Sequence, residues 1–156
     1  MEEIYLKIAE LIRAAVPEIE HIDEDTGQLY PVQYDDRYEY PLLFPCLLVD
    51  ASTVDWKAEN QVTSQRGTAS VTVKLAFKCD EDSHFSSIEH GNDFRQLMER
   101  QRIGKKVVKA LHGYRFGDWT SSMLRRQTRN YSIPGRVKVY ETTLSLSVYE
   151  TLHVGE

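Results

Sequence analysis

The sequence predicts an α+β protein: a mainly antiparallel β-sheet of four to five strands with two α-helices packed on one face, in the order α-β-β-β-α-β-β. Three observations carry this expectation. An amphipathic helical pattern opens the chain over residues 2–16. A clear apolar/polar alternation runs over residues 68–79, the mark of a strand with one buried and one wet face. A second helical stripe then separates that strand from two more strand patterns near the C-terminus.

Taken in order, the first helix places Ile4, Ile8, Leu11, Ile12 and Ala15 on one side and Glu3, Lys7, Glu10 and Arg13 on the other. Pro17 ends it. Residues 17–44 read as a long arm, rich in Asp, Glu, Gly and Pro and carrying Tyr30, Tyr34, Tyr38, Tyr40 and Phe44. A connection of that length is usually functional, and tyrosines make stiff amphipathic contacts suited to an interface. The alternative is an arm whose tyrosines pack on its own sheet. A strand follows over 45–57, with Cys46-Leu47-Leu48-Val49 at its start, and residues 58–67 read as a hairpin connection. In the 68–79 strand Ala69, Val71, Val73, Leu75, Phe77 and Cys79 share one side.

The second helix spans at most 86–113, with Phe94, Leu97, Met98, Val108 and Leu111 as its apolar stripe. Gly104 lies on that stripe, where a missing side chain would bring the helix close to the sheet. Gly113 reads as its C-terminal cap. The last two strands cover about 121–131 and 136–150, joined through Ile133-Pro134-Gly135. Tyr140, Thr142, Leu144, Leu146 and Val148 share a side, but Val137 and Val139 have the opposite phase. A bulge or a change of environment near residue 140 is expected. The whole chain, 1–156, reads as a single domain, long enough to bury a core without a disulfide or a metal. Cys46 and Cys79 read as two buried reduced thiols.

The charges are sorted along the chain. Residues 1–94 carry 7 Lys+Arg against 19 Asp+Glu, residues 95–138 carry 12 against 2, and the last 18 residues carry 0 against 3. The local sums of −12, +10 and −3 return the overall −5. Opposite charge on different parts of one molecule is a reason to associate, with copies of itself or with a polyanion. Within the basic segment 95–138, Lys105, Lys109 and His112 fall on one helical side. On the next strand Arg125, Gln127 and Arg129 point one way and Arg126 the other. The expected interface therefore comprises Tyr30, Tyr34, Tyr38, Tyr40, Lys105, Lys109, Arg125, Arg126 and Arg129, with the acidic arm of one protomer against the Lys105–Arg129 surface of the next.

No catalytic motif stands out. There is no Gly-rich phosphate loop, no GxSxG and no HExxH, and the five histidines share no short spacing. Asp23-Glu24-Asp25-Thr26-Gly27 begins like a calcium loop, but its glycine comes one position early and Tyr34 stands where a bidentate Glu is needed. An alternative function rests on Asp80, Glu81, Asp82 and His84 as ligands of a divalent metal in a nucleic-acid-processing enzyme. Another uses the basic segment for non-specific DNA binding. No cofactor is expected, and no run reaches the roughly 18 apolar residues of a membrane span. The acidic N-terminus lacks the charge of a secretory signal, so a cytosolic protein is expected.

The layout resembles a known family. An amphipathic N-terminal helix leads through a long connection into an alternating strand, Ser70-Val71-Thr72-Val73-Lys74-Leu75-Ala76-Phe77. A second helix ends in Ala110-Leu111-His112-Gly113, and the last strand reads Val139-Tyr140-Glu141-Thr142-Thr143-Leu144-Ser145-Leu146-Ser147-Val148. This resembles the tail-terminator, tail-completion and head–tail joining proteins of tailed phages and prophages. The segment Ile22-Asp23-Glu24-Asp25-Thr26-Gly27-Gln28-Leu29 is similar to prophage proteins of Bacteroidetes-type bacteria. The resemblance implies a non-enzymatic virion protein without a cofactor, acting as a homo-oligomeric ring, commonly a hexamer. Its partners would be other phage tail or connector proteins, with DNA at most passing through non-specifically and no membrane. It would reside in the bacterial cytoplasm during assembly and in the virion tail or neck thereafter.

Overall fold

The structure, a computed structural model, describes residues 2–30, 32–34, 37–57, 63–79 and 91–151. Helix α1 (Glu2–Ala15) is followed by three short strands, β1 (His21–Glu24), β2 (Val32–Tyr34) and β3 (Arg37–Glu39). Two long strands come next, β4 (Cys46–Trp56) and β5 (Ser64–Lys78). Helix α2 (Gly91–Leu111) precedes the final hairpin of β6 (Leu124–Ile133) and β7 (Val137–Thr151). The result is an α+β fold in the expected order.

One five-stranded sheet runs β1-β4-β5-β7-β6. All its pairings are antiparallel except that of β1 with β4. The β5–β7 ladder has no register break from Ser64↔Thr151 to Lys78↔Val137. The alternation seen in the sequence therefore holds across the whole sheet centre. Ala69, Val71, Val73, Leu75 and Phe77 share one side with Leu144, Leu146 and Val148 of β7 and with Leu47, Val49 and Ala51 of β4. Ile4, Ile8 and Ile12 of α1, and Ile103, Val107 and Leu111 of α2, bury against that side. Both helices thus cover one side of the sheet. Fully burying such a side chain contributes about 1.5–3 kcal/mol.

The arm departs from the expected loop. Its β1 strand pairs parallel with Cys46–Val49, and β2 and β3 form a separate hairpin. Strands of three or four residues are too short to show a period. A parallel pairing also depends on residues far along the chain. The arm then covers one end of the other side of the sheet. Cys46, Ala76, Val137 and Val139 are buried there, with Leu29, Tyr40, Leu42 and Phe44 packed on them. This is the change of environment that the phase of Val137 and Val139 calls for. The strand is not bulged against β5 at that point. The Tyr40 hydroxyl donates to the Pro134 carbonyl, and its ring meets Phe44 edge-on at 6.0 Å. Lys74 forms an ion pair with Asp25 at 2.9 Å. Burial works against the Lys74 charge, but the bonded Asp25 carboxylate outweighs it and raises the amine above its ordinary value.

Helix α2 corrects the expected stripe. Its buried residues are Ile103, Val107 and Leu111, whereas Phe94 and Met98 are exposed. At about 100° per residue, Phe94 lies about 180° around the helix from Ile103. Half-buried Gln96 and Arg100 hold the inward-facing positions of the N-terminal half instead. Two apolar lines share this helix, and periodicity alone does not say which one meets the sheet. Gly113 follows the helix with φ +85° and donates its N–H to the Met123 carbonyl at 2.7 Å, as expected of a cap.

Cys46 is fully buried, and burial pushes its thiol up to about 12. Cys79 is half-buried just beyond β5 rather than on the inner side of the strand, and both thiols are free. Cys46 in the native Cys79→Ser variant should resist alkylation at pH 8 and react fully only after unfolding, measured by mass spectrometry. The native thiol keeps its proton to about 12, whereas an unfolded one loses it near its ordinary 9.0. The Cys46 contribution is therefore intact below pH 9. Stability should fall as pH rises through that window, and chemical denaturation at stepped alkaline pH would measure the slope. Removing the Asp25 charge should loosen the arm: Asp25→Asn is expected to cost about 1–2 kcal/mol in the same assay, because it leaves a partly buried Lys74 unpaired.

Candidate interaction surfaces

The expected grouping of Arg125 with Arg129, and of Arg126 on the opposite side, does not hold. β6 pairs regularly with β7 except for a register shift between Arg125 and Gln127. Arg125 stands opposite Leu144 and Gln127 opposite Thr143, so the extra residue reverses the phase. Arg125 consequently faces α2, whereas Gln127 and Arg129 face the opposite side of the sheet. Sequence alternation, which grouped Arg125 with Arg129, cannot register an inserted residue.

On the α2 side, Lys105, Lys109 and Arg125 come together around a groove of about 620 Å³. Its helical wall adds Gln101, Gly104, Val108 and His112; its floor on β6 and β7 is Thr128, Asn130, Tyr140 and Thr142. Gly104 does not bring the helix close to the sheet. A Cβ added there would meet nothing within 4 Å, and the missing side chain widens the groove. The Arg125 backbone N–H donates to His112 Nδ1 at 3.0 Å, which leaves Nε2 as the protonated nitrogen of the neutral ring. Among the described residues no acid pairs with Lys105, Lys109 or Arg125. The helical wall continues outward into exposed Phe94 and Met98.

On the other side of the sheet Arg126 and Arg129 each have a partner. Arg126 Nε donates to Ser145 Oγ at 2.6 Å. Arg129 lies 3.7 Å from Glu141 and 5.3 Å from the Tyr131 ring centre. Tyr131 is itself raised by burial and by the nearby Glu141 charge. Of the expected tyrosines, Tyr30 is 79% exposed beside Gly27, and Tyr40 is partly buried on the sheet. Tyr34 and Tyr38 lie in β2 and β3, and their side chains fall outside the described residues. The acids of the arm are partly consumed within the protomer. Asp25 binds Lys74, and Glu18 binds Lys106 at 3.1 Å.

A second surface was not foreseen. Glu2 and Glu3, at the start of α1, meet Trp56, Trp119, Tyr149 and Glu150 around an open cavity of about 620 Å³. Trp56 and Tyr149 are 42% and 45% exposed, and Arg66 lies over the Tyr149 ring. The signal available in sequence was weak, since these residues come from both ends and the middle of the chain.

The Asp80, Asp82 and His84 loop of the alternative reading lies outside the described residues. Among the described residues no three of His, Cys, Asp and Glu gather to hold a metal ion, and no helix is long and apolar enough to cross a membrane.

Trp56 owes its position to Gly67. A Cβ there would approach Val54 Cγ1 to 2.7 Å and the Trp56 ring to 2.8 Å. Gly67→Ala should cost about 1–3 kcal/mol in thermal or chemical unfolding and alter Trp56 fluorescence, because the crowded ring must shift.

No family model matches the chain, and no curated protein matches it. Among solved structures it is similar to a chain of the "Virion of native gene transfer agent (GTA) particle". The two share 10% identity and a TM-score of 0.49, over 92% of this chain and 84% of that one. Overlap of this degree does not identify a function.

Proposed function

We propose that this protein is a non-enzymatic structural component of a phage-type particle, acting as one domain that assembles with copies of itself and with neighbouring virion proteins. The observation that carries the reading is a pair of unlike surfaces on one protomer. One is a basic groove whose cations have no acidic partner among the described residues; the other is an acidic, aromatic cavity. They are well separated. Thr142 lines the first and Tyr149 the second, about 23 Å apart along β7 at ~3.3 Å per residue. Unlike surfaces on one protomer favour head-to-tail contacts, which close into rings or extend into filaments. The layout that carries the resemblance to tail-terminator and head–tail joining proteins supports a ring at a tail or neck.

Native mass spectrometry and light scattering over a concentration series test this directly. A discrete oligomer is expected, with a dissociation constant rising about tenfold or more between low and high salt as exposed charges are screened. A strictly monomeric protein at high concentration, inert toward tail tubes, would overturn the reading.

A further inference from the structure

Resting on the self-assembly reading, we infer that the groove between α2 and β6 is the socket for a second copy of this chain, and that the acidic end bearing Glu2, Glu3 and Glu150 is what enters it. The arm, named by the sequence as the acidic partner, is replaced in this role.

Charge complementarity selects the occupant. Lys105, Lys109 and Arg125 rim the groove without an acid among the described residues, while Arg129 and Lys74 on the other side of the sheet already have Glu141 and Asp25 beside them. The arm meets that other side, through Asp25–Lys74 and the Tyr40 hydroxyl on Pro134. Asp25 is committed there and Glu18 to Lys106 of α2, and among the described residues the arm's exposed acids Glu20, Glu24 and Glu39 have no indole rings beside them comparable to Trp56 and Trp119 of the acidic end. Glu2, Glu3 and Glu150 are exposed and have no internal counterion among the described residues. They flank Trp56 and Tyr149, large rings able to cover apolar surface.

The groove offers such surface. Val108 and Tyr140 lie in it, and the outward line of α2 extends it to Phe94 and Met98, 56% and 50% exposed. Apolar surface rimmed mainly by positive charge suits a partner with aromatic rings among negative charges. Because socket and plug are different patches, the contact is heterologous and repeats from copy to copy.

The test uses two full-length variants. The groove variant carries Lys105→Glu, Lys109→Glu and Arg125→Glu; the end variant carries Glu2→Lys, Glu3→Lys and Glu150→Lys. All six positions are exposed, so both should fold, as checked by circular dichroism and melting temperature. Each alone should associate about 100-fold or more weakly than the parent. Mixed, they should form alternating oligomers, since each groove then faces an end of opposite sign. Arg126→Glu with Arg129→Glu, on the other side of the sheet, should leave assembly unchanged. Native mass spectrometry reads the parent, the three variants and the mixture. A groove variant that assembles like the parent overturns the socket. Two monomeric variants that stay monomeric when mixed overturn the choice of plug. A monomeric parent overturns the self-assembly reading itself.

Discussion

The unbroken ladder between β5 and β7 is the constraint on which the rest of the structure depends. It carries one side-chain phase across fifteen residues of each strand. A slip of one residue would exchange the two sides of the sheet. With the phase held, Val71, Val73 and Leu75 meet Leu144 and Leu146 beneath both helices. The same phase turns Ala76, Val137 and Val139 outward, where only another segment of chain can bury them. Beyond the reach of the arm that side becomes Thr68, Ser70 and Thr72 opposite Ser147, Ser145 and Thr143, which water can solvate.

The arm is therefore part of the fold. β1 extends the sheet beside β4, and Leu29, Tyr40, Leu42 and Phe44 close the second, smaller core. Fixing such a segment costs conformational entropy on the order of 1–2 kcal/mol per residue for the backbone alone. Apolar burial offsets that cost, while Asp25–Lys74 and Tyr40–Pro134 set the orientation.

The same geometry redistributes the charge. Segregation along the chain is partly cancelled inside the protomer, where Glu18 meets Lys106, Asp25 meets Lys74 and Glu141 meets Arg129. The β6 bulge then divides the remaining basic residues between the two sides of the sheet. What survives is smaller than the sequence totals imply but more localised: one groove with a positive rim and apolar surface at Val108 and Tyr140, and one acidic end with exposed rings.

The sequence by itself determined the elements whose pattern is local and long. The 3.6-residue spacing of Ile4, Ile8 and Ile12 and the twofold alternation of β5 each persist long enough to declare a period. Gly113, and the reversed phase of Val137 and Val139, were also legible, because each is a local conformational or patterning signal. Tertiary structure alone decided the parallel pairing of β1 and which apolar line of α2 turns inward. It also decided the effect of one extra residue at Arg126 on the direction of every cation after it. The acidic end arose in the same way, from Glu2, Trp56, Trp119 and Glu150, residues far apart in the chain. These features depend on what stands opposite a residue in space, and periodicity records only what stands beside it in the chain.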